Sequence, residues 1–128
     1  MFSIPDLPVY IDSPLACNAT EIFRLHPECF DRETQRLFMK NHEDPFGFGS
    51  LKYVREVQQS KDLNQLKKPH IIISASGMAE GGRILHHLRN NIQDSRNLVL
   101  FVGYAAAHTL ARKLMDGEKT VRIFGEEQ

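Results

Sequence analysis

Tryptophan is absent from the 128 residues, cysteine occurs only twice, and no apolar run approaches the roughly 18 residues that a membrane-spanning helix needs. The N-terminal stretch also lacks the apolar segment of a secretory signal. Two cysteines do not make a disulfide framework, so a reducing, cytoplasmic setting and no membrane partner are expected. Net charge is missing as well: 16 basic and 16 acidic side chains cancel, which withholds the overall basic signature of a nucleic-acid-binding chain. What is present suffices for a fold. Apolar residues make up 41% of the chain and include eight Phe, enough for a core and against a largely disordered segment. The length matches one domain of about 100–200 residues. The zero charge is unevenly built. Residues 1–64 carry 7 basic and 10 acidic side chains and residues 65–128 carry 9 and 6, so the second half, rich in glycine, is the positive one.

Four short runs have strand character: Val9-Tyr10-Ile11, Ile71-Ile72-Ile73, Leu98 to Val102 and Val121 to Phe124. The second and third are continuously apolar, which predicts strands buried on both faces of a parallel sheet. Between them, Gly82 to Ile92 sets Ile84, Leu85, Leu88 and Ile92 on one helical face, and Thr109 to Met115 does the same with Leu110, Leu114 and Met115 before Asp116-Gly117 stops it. Strand, helix, strand, helix, strand implies two right-handed crossovers. The expected fold is therefore α/β, a three-layer sandwich around a mainly parallel, about four-stranded, Rossmann-like sheet. Upstream, Glu21–Phe30 and Glu33–Asn41 read as helices, residues 45–50 as a Phe-Gly-Phe-Gly loop, and Ser60 as the cap of a helix running to Lys68. Phe23, Phe30 and Phe38 fall at core-like spacing, while Phe46 and Phe48 suggest an exposed contact surface.

The polar residues gather after the strands, where ligands bind in open parallel sheets. The first strand runs into Asp12-Ser13-Pro14, the second into Ser74 through Arg83 with glycines at 77, 81 and 82, and the third into Gly103-Tyr104. Glycines allow close approach of the backbone, the first turn of the following helix offers N–H groups to an anion, and Arg83 supplies a planar fork for phosphate. Asp12-Ser13-Pro14 is equally a helix cap followed by a favoured first position, and the glycines equally a tight turn; both readings stand at this point. Several sites are excluded. The Gly-x-x-x-Gly-Gly spacing is not a dinucleotide fingerprint, Gly-Lys-Ser/Thr is missing, and neither Ser13 nor Ser76 lies in Gly-x-Ser-x-Gly. Cys17, His26 and Cys29 make a poor zinc set without a fitting fourth ligand. His86 and His87, adjacent and about 100° apart on a helix, cannot share a metal; one is expected towards the crevice and the other towards solvent.

Pro8 to Ala16, then Ile71 to Leu88, then Asn97 to Tyr104, Thr109 to Arg112 and Asp116 to Gly125, in that order, resemble the β-CASP region of metallo-β-lactamase-fold RNA-processing nucleases. The resemblance covers nearly the whole chain and implies one β-CASP-like domain over residues 1–128, cut short at both ends relative to a parent protein. In that family the domain caps a pair of zinc ions and forms one wall of an RNA cleft. The family's His-x-His-x-Asp-His run does not occur here, so the resemblance implies no catalytic residue, metal ligand or cofactor in this chain, with two zinc ions expected in the parent. Mapped residue by residue, Asp12, Ser13, Ser76, Gly77, Met78, Gly81, Gly82, Arg83 and His86 become RNA- or phosphate-binding candidates. The implied partners are single-stranded RNA and the missing metallo-β-lactamase domain, with homodimer formation as a further reading. The chain departs from the pattern at Ala105-Ala106-Ala107-His108, where relatives often carry Gln, small or acidic residues and then Gly, and at Ala111, where Gly is common. The rival reading is a free-standing α/β module that binds a small anion or a protein partner without chemistry.

Overall fold

The computed structural model describes residues 6–41, 44, 46, 47 and 49–128. In chain order it contains β1 (Val9–Asp12), α1 (Pro14–Leu25), a single 3-10 turn (Pro27–Cys29), α2 (Arg32–Asn41), β2 (Leu51–Tyr53), α3 (Val57–Leu63), β3 (Ile71–Ser74), α4 (Ile84–Asn91), α5 (Leu110–Met115), β4 (Arg122–Ile123) and β5 (Glu126–Glu127). The chain divides into two compact units, one formed by Met1–Gln59 with Lys67–Ile73, the other by Ser60–Leu66 with Ser74–Gln128.

In the first unit β1 is central in a three-stranded parallel sheet of order β2-β1-β3. Val9 pairs with Leu51 and Ile11 with Tyr53, and the ladder continues through Val9 N to the Ser50 carbonyl and Val54 N to the Ile11 carbonyl, both 2.9 Å. Ser13 caps α1: its hydroxyl accepts from Ala16 N at 3.3 Å, and Pro14 occupies the first turn, where its missing N–H costs nothing. The helix thus starts seven residues before the expected Glu21. Cys17, fully buried, directs its thiol at the Ile11 and Val54 carbonyls. Phe46 is not an exposed loop residue. It is half-buried, its ring 6.1 Å from Phe23 and 5.9 Å from Phe30, and its carbonyl accepts from Arg24 and from the Tyr53 hydroxyl, both at 2.6 Å. Phe23, expected in the core, is mostly exposed. The side chain of Phe38, and Phe48 altogether, lie outside the described residues.

The second unit has its own core of Ala79, Leu88, Ala105, Leu110, Ala111, Val121 and Ile123, with Ile84, Leu85, Ile92, Phe101 and Leu114 packed against it. The predicted apolar faces of α4 and α5 therefore do the packing, Met115 excepted, which is exposed. After α4 the chain closes a turn in which Arg96 hydrogen-bonds the Asp94 carboxylate and holds its pKa down at about 2. The Asn97 side chain then donates to the Asn91 carbonyl at 2.9 Å.

Four expectations are overturned. The single four-stranded sandwich sheet is replaced by two small sheets, the parallel one and an antiparallel hairpin of β4 and β5. The hairpin arises because Phe124 and Gly125 both take positive φ, +53° and +79°, and a two-residue turn of that hand folds the chain back on itself instead of extending a parallel strand. Leu98 to Val102 forms no strand: Leu98, Leu100 and Val102 are 88%, 77% and 93% exposed, and only Phe101 packs inward. An apolar run becomes a strand only where a neighbour takes its N–H and C=O groups. Ile71 and Ile73 in the edge strand β3 are likewise exposed rather than covered on both faces. Finally, α3 begins at Val57 and ends at Leu63, so Ser60 lies buried inside the helix rather than at its start.

Candidate nucleic-acid interface

The nine candidate residues fall in both units. In the first, Asp12 ends β1 wholly buried, and Ser13 is occupied as the cap of α1. The other seven lie in the second unit, on the segment from β3 into α4.

That segment is a loop folded on its own backbone. Ser76 N donates to the Gly81 carbonyl at 3.2 Å, Ala79 N to Ser76 at 3.0 Å and Ile84 N to Ala75 at 3.2 Å. Ala79, with φ of +54°, turns its methyl group into the core, while the exposed Ser76, Gly77 and Met78 form the outer rim. Gly82 is required by the fold: its φ is +80°, and a Cβ there would stand 2.6 Å from the Ala75 carbonyl oxygen. Gly77 and Gly81 differ, because a Cβ on either would meet no atom within 4 Å. Their bareness leaves open backbone rather than filling a tight space.

The first turn of α4 does not hold the free donors that were expected. Leu85 N donates to Gly82, and both His86 N and His87 N to the Arg83 carbonyl, at 3.4, 3.0 and 3.3 Å. Among the described residues no backbone carbonyl takes the N–H of Gly77, Met78, Glu80, Gly81 or Gly82, so the donors lie in the loop itself. Arg83, half-buried, stands at the cap position of α4 with helical φ and ψ.

The two histidines diverge as their spacing requires, with one correction. His86 is exposed and its ring is tilted against that of Phe124, centroids 4.7 Å apart. His87 faces the interior, not solvent: it is buried, with Nδ1 2.9 Å from Asn64 Oδ1. The same oxygen accepts from Asn91 Nδ2 at 2.9 Å, so Nδ1 of His87 carries a proton and donates. Two contributors escaped the sequence reading. Phe124, expected in a strand, sits instead in the turn after β4. Glu80 sends its carboxylate 2.5 Å to Leu110 N, joining the glycine loop to the start of α5, which Ala111 N reinforces by donating to the Met78 carbonyl at 3.1 Å. No local signal gives this contact, because Glu80 precedes α4 in the chain while its partner opens α5, 30 residues on.

Cys17, His26 and Cys29 do not form a metal site: Cys17 is buried, Cys29 exposed, and His26 pairs with Glu28 at 2.8 Å. Among the described residues no group of three or more His, Cys, Asp or Glu is placed to hold a metal ion. No helix of the described residues is long and apolar enough to cross a membrane.

The model of the Beta-Casp domain family matches residues 2–114. A ribonuclease of Thermus thermophilus, TTHA0252, is 36% identical over 124 residues, which is 97% of this chain and 28% of that protein. The transcription termination factor FttA is 31% identical in Methanosarcina mazei over 96% of this chain, and 31% in Pyrococcus abyssi over 95%, each match covering 19% of the relative. The chain thus spans 19–28% of the length of these relatives. With a family model covering residues 2–114, most of its length, the chain belongs to the Beta-Casp domain family.

Proposed function

We propose that this chain is the cap and RNA-binding domain of a zinc-dependent, metallo-β-lactamase-fold ribonuclease acting in mRNA 3′-end processing or RNA decay. The observation that carries the reading is the family match over residues 2–114 together with 36% identity to a ribonuclease. Phosphodiester hydrolysis and its two zinc ions belong in this reading to a metallo-β-lactamase domain of the parent, and the cytoplasm is its compartment. The contact surface is the loop of Ser76, Gly77, Met78, Gly81, Gly82 and Arg83 with His86 beyond it, and Asp12 and Ser13 set the buried end of β1 in the same family motif. Bare backbone at Gly77 and Gly81, loop N–H groups without backbone acceptors and a guanidinium at the loop's end suit a phosphate chain. From Lys67 to Arg122 the sequence holds 9 basic and 4 acidic residues, the local bias such a wall needs.

Binding of labelled single-stranded RNA, measured across a salt series, tests this. Affinity should fall as salt rises, and Arg83→Ala should weaken it on every sequence while lowering the salt slope by about one. Absence of binding at low salt, or an unchanged affinity for Arg83→Ala, overturns the assignment.

A further inference from the structure

A cleft lined by residues of the segment 104–108, of α5 and of the turn after it includes none of the glycine-loop residues in its wall. Its volume is about 370 Å³, and its chemistry comes from Tyr104, His108, Arg112, Lys113, Asp116 and Glu118. The size is that of a small-ligand pocket, typically about 300–1,000 Å³. Its frame is fixed from within. Arg112 donates through Nε and Nη2 to the Ala105 carbonyl at 3.1 and 2.9 Å, Thr109 Oγ1 donates to the Ala106 carbonyl at 2.7 Å, and Ala105 itself is buried in the core. The third guanidinium nitrogen faces Asp116 at 3.5 Å, so those two charges answer each other.

Tyr104 is 76% exposed on a loop whose next residue is anchored. Among the described residues no side-chain hydrogen bond or ion pair engages Tyr104, His108, Lys113 or Glu118. One aromatic face, one ammonium with an imidazole, and one carboxylate therefore border the same cavity. An inorganic anion would use only the second of these. A deoxynucleotide within a strand, its 3′ oxygen esterified and its 2′ position bare, would use the first two. A ribonucleotide uses all three, because its base stacks on a ring, its phosphate meets a cation and its 2′-hydroxyl donates to a carboxylate.

We propose that the cleft of Tyr104, His108, Lys113 and Glu118 is a ribonucleotide subsite. It rests on the RNA reading above for the class of polymer, and on a separate set of residues for its chemistry. Tyr104 stacks the base, Lys113 and His108 take the phosphate, and Glu118 accepts from the ribose hydroxyl, which makes the subsite a discriminator of RNA against DNA.

Amide chemical shifts of the 128-residue chain, followed during titration with adenosine 5′-monophosphate, its 2′-deoxy analogue and inorganic phosphate, test the assignment. The ribonucleotide should move the amides of residues 104–108 and 113–118 saturably, and bind more tightly than either comparator. Tyr104→Leu, at an exposed position, should keep the folded spectrum and weaken binding at least about fivefold, the low end of what stacking one base on one ring supplies. Glu118→Gln should bring the ribo and deoxy affinities together. No response in these amides, or equal responses to the three ligands, overturns the subsite. RNA binding that depends on Arg83 while these amides stay still overturns the subsite and leaves the glycine-loop reading intact. A mononucleotide response here without any polymer binding does the reverse.

Discussion

Gly82 and His108 both take left-handed backbone, at φ of +80° and +68°, but only one is a residue suited to it. Gly82 also lies against the Ala75 carbonyl, so Gly82→Ala adds a steric clash to backbone strain and should lower stability by about 1–3 kcal/mol. His108 carries a Cβ where glycine is at ease, so His108→Gly should raise stability by up to about 1 kcal/mol. Urea unfolding of both variants checks the pair, and a neutral Gly82→Ala beside a destabilised His108→Gly would contradict the backbone described. Half of this was legible beforehand. The family pattern expects Gly at position 108, and its departure from that pattern is where the strain sits. The need for glycine at 82 rather than 77 or 81 was not, because three neighbouring glycines look alike until the carbonyl packed over one of them is known.

The helices were the most readable elements, since their signals are local. Ser13-Pro14 starts α1, and Ile84, Leu85, Leu88 and Ile92 form the inward stripe of α4. What lies beneath that stripe is a polar lock that periodicity does not disclose. Asn64, 23 residues before His87, accepts from both His87 and Asn91. Asn64→Ala should leave two donors on α4 without this acceptor and cost about 1–3 kcal/mol, read from the midpoint of chemical denaturation. A loss below about 0.5 kcal/mol, the range of ordinary surface changes, would show that the lock is not closed in solution. The strand runs failed for a related reason. Leu98 to Val102 has the composition of a buried strand, but pairing is a property of two segments, and composition names only one of them. The Phe124-Gly125 turn likewise redirected a run that was read as a fourth parallel strand.

Across the whole chain, two compact units and two small sheets replace the single sheet expected from strand–helix alternation. The exposure of Leu98, Leu100 and Val102 has a direct consequence for stability. Leu100→Ser should change the unfolding free energy by no more than about 0.5 kcal/mol, as for an exposed position, whereas a buried leucine reduced to a small side chain costs about 2–5 kcal/mol. Thermal unfolding of that variant decides between them. The sequence by itself pointed to the family, to the Ser13-Pro14 start of a helix, to most of the inward faces of α4 and α5, and to the glycine loop, because each depends on residues close together along the chain. Tertiary structure decided which runs pair, that Asp12 is buried, that Phe124 meets His86, and that Tyr104, Lys113 and Glu118 border one cleft. Those outcomes depend on which distant segments supply hydrogen-bond partners and cover apolar surface, and residue order does not state that on its face.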